Sequence, residues 1–165
     1  MTEKTTRLLM EMRLDMGPAQ QVTGQSGETR LIYHVRGGRF EGEQIAGKIL
    51  PVSGDWVSIK NNVITMDVRV QLQTDEGWLV QMSYESISDL SEEERRVFAA
   101  RGKIDQAGHF FRVVPTFTTR APQLEWLTRA SIFGVGTRYD DRIEYDVFEE
   151  IAGQPCDRGA PQHAD

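Results

Sequence analysis

Apolar and polar residues alternate along several short segments of the chain, which is the pattern of half-buried β-strands. The segment 7–15 sets four apolar residues against mostly charged ones, so one face of this strand is expected on a core. A polar loop over 17–29 precedes a run over 30–35 that is rich in branched and aromatic residues and predicts a second strand. The pair Gly37-Gly38 then indicates a bulge or bend of the kind that barrel strands contain.

Turn residues separate further strand-like segments in the rest of the chain. Asn61-Asn62 and the segment 75–77 are typical of hairpin turns. These further strands are predicted at 44–50, 55–60, 63–73, 78–85, 109–119, 130–139 and 142–150. Their spacing is that of consecutive hairpins, which predicts antiparallel pairing.

One helix is indicated by its capping residues. Ser91 is a suitable N-cap, Glu94 stands three residues further on as in a capping box, and Gly102 ends the helix. A short helical turn over 123–128 carries Trp126. We therefore expect one short helix among the strands.

The number and order of these elements favour a mainly β fold. About eight or nine short strands without alternating helices indicate an antiparallel sheet. A closed barrel is favoured over a sandwich because polar residues occupy strand faces where a sandwich would need core. A barrel of about eight strands leaves space for side chains or one small ligand. The expected organisation is a single barrel domain over 1–151 and a disordered tail over 152–165.

Charge and cysteine content narrow the possible partners. The formal net charge is -6, with 25 acidic and 19 basic residues and no basic block, so neither a nucleic acid nor an anionic membrane is an expected partner. Cys156 is the single cysteine and forms no internal disulfide. No apolar run has the length of a signal-peptide core or a membrane span, so a cytoplasmic location is expected.

Asp67 and Arg69 lie on the polar face of the strand predicted over 63–73. In one interpretation the apolar face is the core and the two charges are solvated neighbours. In the other, the apolar face packs against the helix or a second subunit, and the charges point into the lumen. There the arginine would hold the carboxylate ionised as a proton acceptor, or would bind an anionic substrate itself.

Five other residues are candidates for the same lumen. Asp55-Trp56 is either a turn acid followed by a core aromatic or a pair that faces the cavity. Arg112 lies in a largely apolar strand and is either a buried partner of an aspartate or a surface charge. Tyr33 and Tyr84 can each donate a hydrogen bond to a developing oxyanion, although a strand tyrosine is by default structural.

Metal, nucleotide and covalent chemistry find little support in the sequence. His34, His109 and His163 are scattered without the spacing of a metal site. The glycines of the segment 134–136 precede Thr-Arg and not a helix, so they are not a dinucleotide fingerprint. They are expected to let strands cross closely. No Ser or Cys lies in a nucleophile elbow, and Cys156 lacks electropositive neighbours. No cofactor and no metal are expected.

A series of short motifs, in this order and spacing, resembles the domain-of-unknown-function family numbered 3237 from about Arg30 to Glu150. The motifs are GGRFEG at 37–42, Gly47, Asp55-Trp56, Asp67, Arg69, TDEG at 74–77, FFR at 110–112, Pro115, Phe117, Thr119, Trp126-Leu127 and GVGTR at 134–138. The resemblance implies a closed antiparallel barrel, similar in outline to allene oxide cyclases and calycin-like barrels, and often a homo-oligomer. Such barrels hold small, rather apolar molecules and in several cases cyclise or isomerise them without a cofactor.

The chain departs from the family pattern at four positions. Leu124 and Thr128 replace the usual Tyr and Asn, Glu43 replaces a usual Pro, and Trp78 stands where a small residue is common. These changes predict an altered pocket mouth.

The leading functional hypothesis is a cofactor-independent isomerase, cyclase or lyase that transfers a proton beside a carbonyl in the barrel lumen. The alternatives are a non-catalytic binding protein for a small hydrophobic or aromatic ligand and an oligomer with a filled barrel. The predicted catalytic residues are Asp67, Asp55, Arg69 and Arg112, and the predicted ligand-binding residues are Trp56, Tyr33, Tyr84 and Trp126. A homo-oligomer is also expected, because the apolar face of the 63–73 strand exceeds what one short helix covers.

Overall fold

Antiparallel strands form one eleven-stranded sheet in the computed structural model, which describes residues 4–99 and 109–152. The strands are β1 Lys4–Met16, β2 Gln20–Thr23, β3 Thr29–Glu41, β4 Ala46–Ile49, β5 Gly54–Lys60, β6 Val63–Thr74, β7 Leu79–Asp89, β8 His109–Val113, β9 Thr116–Thr119, β10 Ile132–Arg138 and β11 Arg142–Ala152. The helix α1 spans Glu92–Ala99, and a 3₁₀ helix spans Pro122–Thr128. The predicted mainly β, antiparallel architecture with one short helix is confirmed.

The strand order brings the two ends of the sheet together. Hydrogen bonding runs in the order β8-β10-β11-β1-β3-β4-β6-β7-β9, with β2 added to β3 and with β5 between β3 and β6. The end strands β8 and β9 are consecutive in the chain and are separated only by Val114 and Pro115. Three residue steps span at most about 10 Å. The sheet is therefore rolled up so that its two ends meet at this segment.

The meeting of the two ends leaves part of each strand edge unpaired. β9 pairs with β7 only over Val80–Ser83, and β8 pairs only with β10. Within the described residues, the second half of β7, residues 84–89, has no strand partner on the side away from β6. Among residues 4–99 and 109–152, a slot flanked by this half of β7 and by β8 therefore interrupts the ladder.

The core fills the inside of the rolled sheet. Burial alternates along the strands, and on β6 the apolar residues Ile64, Val68, Val70 and Leu72 are all at most 4% exposed. This is the apolar face from which we predicted a homo-oligomer. That reason is wrong, because the face packs against the protein's own core and not against a second subunit.

Local sequence signals produce the expected local structures. The backbone N–H and the hydroxyl of Ser91 both donate to the carboxylate of Glu94, and the backbone N–H of Glu94 donates to the Ser91 hydroxyl. The capping box is therefore formed. Asn61 and Asn62 both have positive φ, as a tight hairpin turn requires. Gly38 is needed because a Cβ there would lie 2.0 Å from the Arg13 carbonyl oxygen, next to a register shift in the β1–β3 ladder. The predicted bulge is confirmed.

Other boundaries differ from the sequence-based expectations. The expected loop over 17–29 contains the short strand β2, which pairs with β3. The expected strand over 109–119 is divided at Pro115, and together with β2 this division gives eleven strands in place of eight or nine. β11 extends to Ala152, whereas the predicted helix end at Gly102 and the tail beyond Ala152 lie outside the described residues.

Candidate functional site

A cavity of about 440 Å³ lies inside the rolled sheet next to the slot between β7 and β8. Its buried and half-buried lining residues include Asp55, Tyr84, Phe111, Arg138 and Ile143. Its exposed lining residues come from both sides of the slot and are Glu85, Ser86, Ser88, Arg112 and Val114. The cavity therefore joins a mixed polar and aromatic interior to the outside through the unpaired edges.

The carboxylate of Asp55 lies on the inner face of β5. In the ladder Asp55 stands directly between Tyr33 of β3 and Val68 of β6, and Val68 in turn stands beside Tyr84 of β7. Asp55 is only 6% exposed, and its Oδ1 has no hydrogen-bond partner among the residues that the structure describes. Burial raises the pKa of Asp55 to about 6, although the nearby Arg138 guanidinium acts in the opposite direction. Asp55 is thus a buried base that titrates close to neutral pH.

Arg138 lies at the end of β10 and brings a positive charge to the cavity. Its guanidinium carbon sits 4.1 Å from the centroid of the Tyr33 ring, which is a cation–π contact. Tyr33 is itself buried, and its hydroxyl has no hydrogen-bond partner among residues 4–99 and 109–152. Burial raises the pKa of Tyr33, so its hydroxyl stays protonated at neutral pH.

Two tyrosine hydroxyls form a direct pair beside the cavity. The Oη atoms of Tyr84 and Tyr145 are 2.7 Å apart, and Tyr145 is 1% exposed. Burial raises the pKa of both tyrosines, which keeps them protonated and able to donate. One hydrogen bond between two hydroxyls uses one proton and leaves the other free. Since Tyr84 lines the cavity and Tyr145 lies behind it, the arrangement in which Tyr145 donates to Tyr84 gives Tyr84 a proton for a ligand.

Gly136 makes room for the aromatic wall of this site. It lies on β10 between Tyr145 of β11 and Phe111 of β8. A Cβ at Gly136 would lie 2.2 Å from the Phe111 ring, so only glycine lets the ring lie across the strand. The Phe111 ring then contacts the Tyr145 ring edge-on at 5.6 Å. These glycines were expected to let strands cross closely, whereas the group that approaches Gly136 is the Phe111 side chain.

The prediction that Asp67 and Arg69 point into the lumen is wrong. They lie on the face of β6 opposite its buried apolar residues, and Arg69 is exposed. Their side chains form an ion pair at 2.7 Å, and Arg69 also lies 5.9 Å from the ring of Trp56. Trp56 follows Asp55 on the same strand, faces outward and is 43% exposed. The apolar face of β6 belongs to the core, which leaves the polar face for solvent.

Arg112 is also placed on the outside. Arg112 is exposed, and its guanidinium carbon lies 4.2 Å from the centroid of the Phe133 ring on the outer face of β10. Burial as a partner of Asp55 or Asp67 is therefore contradicted, because Phe111 and Val113 take the inward positions of β8.

Trp126 lies away from the cavity. It is half-buried on the 3₁₀ helix and packs against the core, and it is not among the cavity-lining residues. The four positions that depart from the family pattern, Glu43, Trp78, Leu124 and Thr128, do not line the cavity either. Leu124 is a core residue at 5% exposure. The prediction of an altered pocket mouth from these positions is wrong.

The described residues hold no group of three or more His, Cys, Asp or Glu side chains arranged for a metal ion. Among the same residues, no helix combines the length and apolar character that crossing a membrane requires.

Comparison with known proteins identifies relatives across nearly the whole chain. The family model described as Protein of unknown function (DUF3237) matches residues 4–149. The chain belongs to the DUF3237 family. A curated relative is the UPF0311 protein RPA1785 of Rhodopseudomonas palustris, which is 30% identical over 123 residues, covering 74% of this chain and 80% of the relative.

Solved structures agree with the DUF3237 assignment. The crystal structure of RPA1785, a conserved protein of unknown function, superposes with a TM-score of 0.74 at 26% identity, over 92% of this chain and 99% of that one. A beta-barrel like protein from Acinetobacter baumannii gives 0.71 at 24% identity, over 90% and 97%. An enzyme from Penicillium herquei gives 0.62 at 15% identity, over 92% and 97%. The similarities to the Acinetobacter baumannii and Penicillium herquei structures concern the fold alone. The fold of this chain is therefore barrel-like.

The sequence-based candidates and the site in this DUF3237 protein overlap only in part. Asp55, Tyr33 and Tyr84 are brought together, whereas Arg138 and Tyr145 were not singled out. A signal for Arg138 was present, since period-two alternation puts it on the same strand face as Gly134 and Gly136. The same alternation between Ile143 and Val147 puts Tyr145 inside.

Proposed function

We propose that this protein is a cofactor-independent enzyme that moves a proton beside a carbonyl group of a small molecule. The observation that carries the proposal is the buried Asp55 carboxylate, which faces a cavity of about 440 Å³, has a pKa of about 6 and leaves one oxygen unpaired within the described residues. A general base works best when its pKa lies near the operating pH. Asp55 is mostly ionised at pH 7 yet remains a stronger base than an ordinary carboxylate.

The proposed reaction begins when Asp55 removes a proton from the carbon next to a carbonyl. The C–H electron pair moves into the new carbon–carbon double bond, and the carbonyl electron pair moves to oxygen, which becomes an enolate. The free hydroxyl proton of Tyr84, supported by Tyr145, stabilises that oxygen. Return of the proton at another carbon gives isomerisation, and loss of a leaving group gives elimination. Attack of the enolate carbon on an electrophile within the same molecule gives cyclisation.

The rolled sheet acts in this proposal as a barrel that is closed except at the slot between β7 and β8. The slot is the route for substrate, because the exposed lining residues of the cavity lie on both of its sides. The Penicillium herquei neighbour, which is called an enzyme, supports the idea that this fold accommodates catalysis.

A non-catalytic binding protein is the second candidate function. It is favoured by the apolar part of the cavity wall, to which Met66, Phe111, Val113 and Ile143 contribute. Such a wall holds a small hydrophobic or aromatic molecule whether or not any reaction follows.

Deuterium exchange of small bicyclic ketones distinguishes the two functions. The protein is incubated in D₂O with 1-tetralone or 2-tetralone, and loss of the α-proton signal is followed by NMR. The enzyme hypothesis predicts catalysed exchange that falls by roughly 100-fold or more in Asp55→Asn. The matched control Asp146→Asn removes an exposed carboxylate on β11 that does not line the cavity, and it leaves the rate unchanged. Binding of a ketone without Asp55-dependent exchange would favour the binding protein and contradict the enzyme.

We also propose that the protein is a homo-oligomer, on the basis of exposed apolar residues other than those of β6. Three apolar side chains beside the slot are exposed: Ile87 of β7 at 74%, Phe110 of β8 at 69%, and Val114 of the segment between β8 and β9 at 72%. Exposed apolar groups of this kind mark interfaces. Light scattering at micromolar concentration tests this directly, and a strictly monomeric species would contradict it.

A further inference from the structure

We infer that the substrate carries an aromatic carboxylate, which Arg138 binds while Asp55 acts on a neighbouring carbon. The reaction in this inference rests on the proposed function, whereas the binding of the carboxylate does not. The chemical class is a flat aromatic acid small enough for a cavity of about 440 Å³.

The first support is the unusual position of Arg138. Arg7, Arg39 and Arg142 illustrate the common arrangement, in which an arginine forms an ion pair with a carboxylate at the surface or between strands. Arg138 is half-buried, lines the cavity and has no carboxylate within ion-pair distance among the described residues. Asp55 acts on Arg138 through its charge without an ion-pair contact, and a half-buried cation that no anion contacts is costly. A ligand anion would offset that cost.

The second support is the geometry of the guanidinium. Its central carbon lies over the Tyr33 ring, 4.1 Å from the ring centroid, so this contact restrains the position of the group. The N–H donors of a guanidinium lie in its own plane and point outward from its edge. A planar carboxylate accepts two such N–H groups side by side. The contact with Tyr33 therefore holds Arg138 at the cavity wall, where its N–H groups can bind a carboxylate.

The third support is the character of the neighbouring wall. Phe111 and Tyr84 line the same cavity, with the apolar side chains of Met66 and Ile143 beside them. Aromatic rings pack favourably edge-on or offset against one another. An aromatic body is thus suited to the wall, and its acid group to Arg138.

Asp55 adds a charge that makes the binding depend on pH. The groups around it are Tyr33 of β3, Tyr84 of β7, Tyr145 of β11 and Arg138 of β10, with Asp67 acting from the outer face of β6. The tyrosines stay neutral, so Asp55 is the inward-facing group that changes charge near pH 6. An anion bound nearby disfavours the ionised form of Asp55. Carboxylate affinity should therefore rise as pH falls through about 6.

The test compares 2-naphthoate with its nearly isosteric neutral counterpart, 2-naphthamide, by isothermal titration calorimetry. We expect the wild-type protein to bind the carboxylate at least about 10-fold more tightly, as charge-assisted hydrogen bonds imply. Arg138→Gln should remove this preference. The matched control is Arg142→Gln, which removes a guanidinium that also lies over a tyrosine ring, that of Tyr139, but does not line the cavity, and which should keep the preference. Equal affinities in the wild type, no binding of either compound, or an unchanged preference in Arg138→Gln would overturn the inference.

A second measurement covers the case in which Arg138→Gln does not fold. The affinity for 2-naphthoate in the wild type should rise between pH 7.5 and pH 5, whereas Asp55→Asn should show a flat profile. A flat wild-type profile would contradict the proposed site. Neither measurement uses catalysis, so a retained carboxylate preference without deuterium exchange would overturn the proposed reaction alone. Exchange without the preference would overturn this inference alone.

Discussion

Asp55 and Tyr33 stand directly opposite each other on β5 and β3, and each has a buried oxygen with no hydrogen-bond partner among the described residues. Leaving a buried polar group unpaired costs about 1–3 kcal/mol. Two such groups side by side, one of them Asp55 at the wall of the cavity, are the kind of local cost that functional sites retain. The site should therefore reduce the stability of the fold that carries it.

The first prediction is that Asp55→Asn stabilises the protein at neutral and alkaline pH. The folded pKa of Asp55 is raised to about 6 from 3.8, so between these values the folded state binds more protons than the unfolded state. Stability of the wild type is thus lost as pH rises from about 4 to about 6, by about 3 kcal/mol. The neutral Asn avoids this loss. Urea unfolding at pH 4 and pH 8 measures the difference between the two proteins.

The advantage of Asp55→Asn should grow between pH 4 and pH 6 and stay constant above. Asp146→Asn, which changes an exposed carboxylate on β11 that does not act on Asp55, should show no such growth. An advantage that is independent of pH would mean that Asp55 has an ordinary pKa in the folded protein.

The second prediction concerns the Tyr84–Tyr145 pair. Tyr84→Phe removes the hydroxyl that lines the cavity, and ketone exchange should fall about 100-fold, as the loss of an oxyanion donor does elsewhere. Tyr145→Phe removes only the supporting hydrogen bond and should reduce exchange less, while costing about 1 kcal/mol of stability. Tyr139→Phe is the control, because Tyr139 stacks with Arg142 and does not line the cavity. Full exchange activity in Tyr84→Phe would remove this hydroxyl from the mechanism.

The third prediction is a coupling between Gly136 and Phe111. Gly136→Ala places a methyl group 2.2 Å from the Phe111 ring and should destabilise the protein by about 1–3 kcal/mol. In a Phe111→Ala background the same change should cost clearly less, and a double-mutant cycle in urea measures the difference. Gly24→Ala is the control, since its nearest neighbour would lie 3.7 Å away. Equal costs in both backgrounds would show that the ring does not require the glycine.

The fourth prediction is that the outer cluster of Asp67, Arg69 and Trp56 contributes little. Exposed ion pairs contribute about 0–1 kcal/mol, so Asp67→Asn and Arg69→Gln should each change the free energy of unfolding by less than about 1 kcal/mol. Naphthoate affinity should be unchanged in both variants. A loss of affinity in either would return this face to the functional site.

Period-two alternation and turn residues predict most of this fold. The strand positions, the capping box at Ser91 and the bulge at Gly37-Gly38 are all local in origin, because each depends on the conformational preferences of neighbouring residues. β2 was missed because its sequence is polar and its four residues are all exposed. Pro115 divides a strand whose pattern is otherwise continuous.

Which face of a strand points inward is not a local property. Alternation on β6 separates Asp67 and Arg69 from the apolar residues but does not say which set meets the cavity. That choice follows from the roll of the whole sheet. Asp55 was a candidate on equal terms with the alternatives, and Arg138 reaches it only because β10 and β5 come together across the interior.

The most direct test of the account is the pKa of Asp55 in the folded protein. Protein labelled with ¹³C at aspartate carboxyl carbons is titrated between pH 3 and pH 9, and the Asp55 resonance is assigned by its absence in Asp55→Asn. The account predicts a midpoint near 6, held there by burial inside the rolled sheet. A midpoint near 4, the range of an ordinary exposed aspartate, would contradict the buried base at the centre of the proposed function.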